Sequence, residues 1–173
     1  MNFASATALE LAAAVRSRRV TAQTIATLAL ERIAATHTQL NAFTTVTAER
    51  ARAEAAAVDA ALAAGQDPGP LAGVPYAVKN LFDLAGTVTV AGSKINRDRP
   101  PATEDATAVE RLRRAGAVCL GALNMGEYAY DFVTENAHDG ATRNPRDLAR
   151  SAGGSSGGSS AAVAAGLVPF SLG

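Results

Sequence analysis

The sequence predicts an α/β protein in which a helical layer, residues 1–65, precedes an α/β core, residues 71–173. Helix caps followed by Ala-rich amphipathic segments fill the first region. In the second region, short apolar segments with strand character alternate with helical segments, a pattern that is typical of layered α/β folds. A Gly/Ser-rich loop that begins at Ser151 leads directly into a small-residue helix, and we expect the core to be organised around it.

The composition is that of a folded protein, and it excludes several classes of function. A chain of 173 residues with 48% hydrophobic residues is long and apolar enough to build one core. Its 16 basic and 16 acidic residues give no net charge, so the basic footprint of a nucleic-acid-binding protein is missing. No apolar run is long enough to span a membrane. The single cysteine, Cys119, is expected to be buried and inert, and we expect a cytoplasmic protein.

Local capping signals predict the first two helices. Thr7 and Glu10 form a capping box that opens a helix through about Ser17. Thr21 caps the second helix. The residues expected to share the buried face of that helix are Ile25, Leu28, Ala29 and Ile33.

An extended segment and a long helix complete the helical layer. Residues 41–47 read as a short strand. Thr47 then caps an Ala-rich helix at 48–64, which Gly65 ends. A Pro/Gly hinge at 66–70 separates this layer from the core, and we expect the layer to serve packing or dimerisation rather than to carry a site.

The core is predicted to alternate between strands and helices. In order, the predicted elements are a strand at 74–82, a strand at 87–90, a helix capped by Thr103 or Asp105 and ended by Gly116, a buried strand at 117–120, a helix from the capping-box pattern at 124–127 through about 132, a long loop at 134–152, a helix at 161–165 and an apolar segment at 167–172.

Lys79 is the unusual residue of the first core strand, because its neighbours on the same face, Ala77 and Leu81, are apolar. Two interpretations are open. A lysine on an edge strand points into water and deters aggregation. A buried lysine instead has a pKa below its usual value of about 10.4, and its neutral amine can act as a general base.

The Gly/Ser-rich stretch also has several interpretations. Its composition suits a flexible linker, but a linker seldom runs straight into an apolar segment. A phosphate-binding loop is a second possibility, since Gly153 and Gly158 have the required spacing, yet Ser159 stands where that motif needs lysine. Ser155 becomes a candidate for chemistry only beside a base and a second hydroxyl.

Other polar residues carry weaker signals. Glu127 and Asp131 read as capping and surface charges. His37 and His138 are too isolated in the sequence to suggest a metal site or a Ser-His pair.

Five segments occur in a characteristic order: LAGVPYAVKN, AGSKI, RLRRAGAVCLGALNMGEYA, TENAHDGATRNPRD and GGSSGGSS. On these segments the sequence resembles the amidase signature family of Ser-cisSer-Lys hydrolases. The resemblance covers nearly the whole chain. It implies a mixed β-sheet core flanked by helices, of which these residues are the N-terminal part.

The resemblance also implies roles for particular residues. Lys79 corresponds to the base and Ser155 to the bridging serine, which follows a cis peptide bond, here Gly154–Ser155. The nucleophilic serine and the backbone N–H groups of the oxyanion hole are expected beyond Gly173. Ala152 departs from the proline of many members. Weaker candidates for substrate contacts are Tyr130, Asp131, Thr134 and Asn136.

The expected function is hydrolysis of a linear C–N amide bond through an acyl-enzyme, without metal or organic cofactor. The segments AVKNLFDLAG, AGSKINRDRPPA and LNMGEYAYDFVTENAHDG resemble members that cleave urea-type bonds such as that of carboxybiuret. Two alternatives stay open: a glutaminase subunit of an amidotransferase, and a non-catalytic fragment or interaction module. The expected partners are a small amide substrate and either a second copy of the chain or a small accessory subunit. Without the nucleophile, these residues alone are expected to be inactive.

Overall fold

A four-stranded sheet forms the centre of the computed structural model, which describes residues 2–173. The helices are α1 (Ala8–Arg16), α2 (Ala22–Leu40), α3 (Ala48–Ala63), α4 (Thr107–Arg114) and α5 (Gly157–Ala164). The strands are β1 (Phe43–Val46), β2 (Pro75–Lys79), β3 (Val118–Leu123), β4 (Glu135–Asn136), β5 (Gly140–Ala141), β6 (Arg143–Asn144), β7 (Asp147–Ser151) and β8 (Phe170–Leu172). Single 3-10 turns lie at Phe3–Ser5, Lys94–Asn96 and Glu127–Ala129.

The sheet is mixed, with strand order β1-β3-β2-β8. β2 runs parallel to both β3 and β8, whereas β1 is antiparallel to β3. Every residue of β2 and β3 is buried, as expected for central parallel strands covered on both faces. The register pairs Lys79 with Leu123, so the last residues of β2 and β3 lie side by side. The predicted α/β class with a mixed sheet and flanking helices is confirmed.

Two apolar clusters lie on the two faces of this sheet. Residues of α1, α2, α3 and α5 pack in one cluster with the β-strand residues Ala77, Leu120 and Leu123. On the opposite face of the sheet, Tyr76 and other residues of β2 and β3 form the second cluster together with α4. Side chains of a strand alternate between its two faces, so β2 and β3 supply both clusters. Among residues 2–173, no helix is both long and apolar enough to cross a lipid bilayer.

The helical layer follows its local signals closely. The predicted capping box is present, because Thr7 Oγ1 accepts the Glu10 backbone N–H at 3.2 Å and Glu10 Oε2 accepts the Thr7 N–H at 2.8 Å. Ile25 and Ile33 are buried as predicted. The prediction for Leu28 is wrong, since this side chain is 42% exposed. The buried stripe of α2 is centred on the side of Ala26, and Leu28 lies on the opposite side of the helix.

Two predicted helix caps, one of them in the helical layer, and one predicted strand of the core are wrong. Thr47 precedes α3 but makes no side-chain cap, and Ala106 rather than Thr103 or Asp105 holds the cap position of α4. The Asp105 carboxylate instead accepts two hydrogen bonds from Arg50, at 2.7 and 2.6 Å. The strand predicted at 87–90 is irregular, and its Val90 N–H donates to the Asn80 side chain at 3.1 Å.

The segment between β3 and α5 differs most from the prediction. The helix predicted at 124–132 is reduced to one 3-10 turn, in which Tyr128 has a left-handed φ of 50°. Asn124 does not cap it, because its side-chain oxygen accepts the Met125 N–H at 2.9 Å and the Asn136 side-chain amide at 3.0 Å. The predicted loop at 134–152 contains two small antiparallel ladders, β4 with β5 and β6 with β7.

Candidate active site

The Lys79 side chain lies at the carboxyl end of β2, a central strand, and only 4% of the residue is exposed. The interpretation as a water-facing lysine on an edge strand is therefore wrong. The neighbour predicted to share its face also differs: β2 ends at Lys79, and Leu81 is 40% exposed beyond it. The carboxyl ends of parallel strands commonly carry functional groups in α/β folds, because loops leave the sheet there.

The Lys79 amine contacts two serine hydroxyls. Its Nζ donates to Ser155 Oγ at 2.8 Å and to Ser156 Oγ at 2.8 Å. The first contact was predicted from the residues and the resemblance, and the distance lies in the range needed for proton transfer. The second was not predicted, since the sequence did not distinguish Ser156 from the other serines of the stretch.

The loop that carries Ser155 leads into α5. Ser156 occupies the cap position and the helix begins at Gly157, four residues earlier than the predicted start at residue 161. The Gly154–Ser155 peptide bond is cis, as predicted. On the other side of Ser155, its carbonyl accepts the Gly126 N–H at 3.0 Å.

Glycines let this loop lie directly against its neighbours. A Cβ at Gly158 would lie 2.6 Å from the Ala42 oxygen and 2.6 Å from the Asn124 nitrogen. A Cβ at Gly157 would lie 2.6 Å from Thr134 Oγ1. These are closer than atoms can pack, so the glycines are required for contact rather than for flexibility. The flexible-linker interpretation is wrong.

The first backbone N–H groups of α5 are already occupied. The Gly157 N–H donates to Thr134 Oγ1 at 2.9 Å, and the Gly158 N–H donates to the Asn124 carbonyl at 3.0 Å. A phosphate-binding loop needs such groups free to face the ligand. The geometry therefore favours a packed loop that presents hydroxyl groups.

Burial governs the electrostatics of the site. It lowers the pKa of Lys79 below its ordinary value, because removal from water disfavours the charged amine, and the negative charge of Asp131 opposes this change. Among residues 2–173, no three His, Cys, Asp or Glu side chains come together as they would at a metal site. His138 lies 3.5 Å from Glu127. Cys119 is buried as predicted, and burial raises its pKa to about 11.

The four weaker candidates separate into distinct positions. Tyr130 is 94% exposed. Asp131 Oδ1 accepts the backbone N–H groups of Val133 and Thr134, each at 3.0 Å. Thr134 is buried and bonded to the start of α5, while Asn136 donates to the Asn124 side chain and to the Met125 carbonyl. Asp131 and Thr134 thus lie against the serine loop, and Asn136 supports the segment behind it.

Comparison with known proteins identifies the family. The family model described as Amidase matches residues 24–173, and the chain belongs to the amidase family. The resemblance derived from the ordered motifs is confirmed.

Within this family, the chain is similar in sequence to subunits of two kinds of enzyme. The chain is 59% identical over 165 residues to AtzE, a subunit of the 1-carboxybiuret hydrolase of Pseudomonas sp. (strain ADP), covering 95% of this chain and 36% of that protein. It is 50% identical over 167 residues to the A subunit of the glutamyl-tRNA(Gln) amidotransferase of Acidothermus cellulolyticus, covering 96% of this chain and 33% of that protein.

Solved structures agree with this placement. A vestigial protein complex that reveals the evolutionary origins of an s-triazine catabolic enzyme contains a chain with a TM-score of 0.96 and 58% identity, covering 97% of this chain and 37% of that chain. A bacterial aryl acylamidase of the amidase signature family gives a TM-score of 0.91 at 32% identity, covering 96% of this chain and 34% of that chain. The chain thus spans about a third of the length of the relatives it matches.

Proposed function

We propose that these residues are the N-terminal part of an amidase domain that hydrolyses a linear C–N amide bond. The observation that carries the proposal is the contact between the buried Lys79 amine and the Ser155 hydroxyl, at 2.8 Å. A neutral amine in that position accepts a proton from a hydroxyl, as a general base must. Membership of a family of C–N hydrolases supports the reaction class.

The proposed mechanism moves one proton through two hydroxyls. Neutral Lys79 accepts the proton of Ser155, and Ser155 accepts the proton of a nucleophilic serine in the remainder of the domain. That serine oxygen bonds to the amide carbonyl carbon. When the C–N bond breaks, the proton returns through Ser155 to the leaving nitrogen. Water then hydrolyses the acyl-enzyme, again with Lys79 as base.

The proposed substrate class is a small urea-type amide, with carboxybiuret as the first candidate. The 59% identity to a subunit of 1-carboxybiuret hydrolase supports this class. A second candidate is glutamine hydrolysis within an amidotransferase, which the 50% identity to a subunit of such an enzyme supports. Both relatives are named as subunits, so the proposal includes a partner chain, either a second copy or a small accessory subunit.

The proposal is tested by a hydrolysis screen with the full-length protein. The substrates are carboxybiuret, biuret, an aryl amide and glutamine, with release of ammonia or amine as the measured signal. We expect hydrolysis of carboxybiuret with the highest kcat/KM. Preference for glutamine would support the amidotransferase alternative, and hydrolysis of none of the four would contradict the proposed function.

The role of Ser155 is tested by Ser155→Ala with Ser160→Ala as the matched control. Ser160 lies on α5, which follows the loop that carries Ser155; it is exposed, and its hydroxyl bonds only to the Ser156 carbonyl, at 3.2 Å. We expect Ser155→Ala to lower kcat by about 10³-fold or more, and Ser160→Ala to change it less than about twofold. Similar activity of the two variants would remove Ser155 from the mechanism.

A further inference from the structure

The charge environment of Lys79 is unusually simple. The strands beside β2 in the sheet, β3 and β8, contain no Asp, Glu, Lys, Arg or His residue, and neither does α5. The helix α2, which also packs against β2, carries Glu31, Arg32 and His37. The carboxylate that acts on the amine belongs to Asp131, on the segment between β3 and β4. Two other acids lie on neighbouring segments: Asp83 is exposed and accepts from Thr89 at 2.5 Å, and Glu127 lies beside His138.

The Asp131 carboxylate is held in one place by backbone groups. Its Oδ1 accepts the N–H groups of Val133 and Thr134 at 3.0 Å. A Cβ at Gly154 would lie 2.6 Å from that oxygen, and a Cβ at Gly126 would overlap the carboxylate itself. The carboxylate therefore fills the space that side chains at these two glycines would need.

Both glycines are connected directly to Ser155. Gly154 precedes it in the chain, and the Gly126 N–H donates to its carbonyl at 3.0 Å. A third connection runs through Thr134, whose N–H donates to Asp131 and whose hydroxyl accepts the Gly157 N–H. Asp131 thus braces the backbone on both sides of the serine that contacts Lys79.

We propose that Asp131 is a positioning residue of the proposed active site: it holds the segment around Ser155 against Lys79, and its charge stabilises the ammonium that forms when Lys79 accepts the proton. This inference rests on the proposed function. A carboxylate fixed near a base lowers the free energy of the protonated base without taking part in proton transfer, which is the role of the aspartate in a Ser-His-Asp triad.

The direction of the effect follows from the charges. Burial lowers the pKa of Lys79, and Asp131 raises it again. The carboxylate therefore keeps the amine basic enough to accept a proton from a hydroxyl. Without it, Lys79 is neutral over a wider range of pH but is a weaker base, so the rate of proton transfer falls.

The test is Asp131→Asn in the full-length protein, because asparagine keeps an oxygen for both backbone N–H groups and removes the charge. The pKa of the Lys79 amine is measured by NMR with isotope-labelled lysine, assigned by loss of the signal in Lys79→Met. We expect this pKa to fall by about half a unit to one unit. The acidic limb of the kcat/KM profile moves to lower pH by the same amount, and kcat falls by about tenfold with KM nearly unchanged.

Glu135→Gln is the matched control, since Glu135 is exposed on β4 and its substitution removes the same charge from the same part of the chain. We expect neither the Lys79 pKa nor the limb to move. An unchanged Lys79 pKa in Asp131→Asn overturns the inference, whether or not the protein hydrolyses amides. A lowered pKa with unchanged kcat overturns the catalytic half of it. A lowered pKa in a protein that cleaves no amide contradicts the proposed function and leaves the electrostatic half supported.

Discussion

The partly buried cation Arg50 and the buried cation Lys79 lie near opposite ends of β3, and their partners differ. Arg50 is close to the start of the strand, because it pairs with Glu54, whose other oxygen accepts the Cys119 N–H at 2.7 Å. Lys79 lies beside Leu123, the last residue of the strand. Arg50 also binds the Asp105 carboxylate with two nitrogens, whereas Lys79 binds two neutral hydroxyls.

The partners set the protonation of each group in opposite directions. The Asp105 carboxylate raises the pKa of Arg50 above its ordinary value, and Arg50 in turn lowers the pKa of Asp105. Burial raises the pKa of Glu54, although its hydrogen bonds to Cys119 and Arg50 oppose this. Burial lowers the pKa of Lys79, which has hydroxyls instead of carboxylates in direct contact.

The difference separates a structural cation from a reactive one. In an ion pair with two hydrogen bonds the cation stays protonated and the carboxylate stays ionised near neutral pH, because each stabilises the charge of the other. An amine that contacts only hydroxyls is held less firmly in its charged form, so it releases its proton more readily than a cation in an ion pair. The same chain thus uses burial for cohesion at one end of β3 and, on our proposal, for acid–base chemistry at the other.

The largest effect expected from this comparison is the loss of activity in Lys79→Met. Removal of the proposed base should lower kcat of the full-length protein by about 10³-fold or more, equivalent to about 4 kcal/mol in the barrier. The free energy of unfolding should change by less than about 1 kcal/mol, since an apolar side chain replaces a buried amine without a carboxylate in direct contact. Lys94→Met, which changes an exposed lysine, serves as the control. Retained activity in Lys79→Met would contradict the proposed role.

The reciprocal substitution, Arg50→Met, should affect stability instead. It leaves Asp105 and Glu54 without their cation while both remain mostly buried, with exposed side-chain fractions of 12% and 13%. We expect the free energy of unfolding to fall by about 3 kcal/mol, and kcat per folded molecule to stay within about threefold of the unchanged protein. Urea unfolding and active-site titration measure the two quantities. A loss of kcat in Arg50→Met without a loss of stability would contradict the purely structural role of Arg50.

A smaller effect is expected for Ser156→Ala, which removes one of the two hydroxyls on Lys79. Ser155 retains its 2.8 Å contact in this variant, but the amine loses a hydrogen bond that orients it. We expect kcat to fall by about tenfold, much less than for Ser155→Ala. An equal loss of kcat in Ser155→Ala and Ser156→Ala would indicate that proton transfer does not depend on Ser155 alone and that Ser156 also takes part.

The helical layer was predictable because its signals are local. Thr7 and Glu10 cap each other within one turn, and the apolar spacing of α2 reports its buried face. Three wrong predictions of helix caps have one cause in common: a polar side chain that resembled a cap has a distant partner. Asp105 binds Arg50, Asn124 binds Asn136, and Thr47 donates to the Cys119 carbonyl at 3.4 Å.

The candidate site was predictable only in part. Lys79 and Ser155 are 76 residues apart, so no local pattern connects them, and their pairing came from the ordered motifs and the family resemblance. The second hydroxyl and the position of Asp131 were not foreseeable in this way. The space for the Asp131 carboxylate is defined by the missing side chains of Gly126 and Gly154, and that space exists only after β3 and the serine loop have come together.

The smallest effect concerns the dependence of stability on pH, and it isolates the structural cation. The pKa of Asp105 is lower in the folded protein than the value of about 3.9 for an unfolded aspartate. The ion pair therefore contributes stability that is fully present above that unfolded value and is lost as the pH falls through the lower, folded pKa. In Asp105→Asn this contribution is absent at every pH. We expect the variant to be less stable by about 1 kcal/mol at pH 7 and the difference to shrink below about pH 4, as measured by urea unfolding at a series of pH values. A constant difference down to about pH 2.5 would mean that Asp105 stabilises the fold through packing and hydrogen bonds alone. The ion pair of Arg50 would then make no contribution to the pH dependence of stability, and of the two cations only Lys79 would have an environment that changes a pH-dependent measurement.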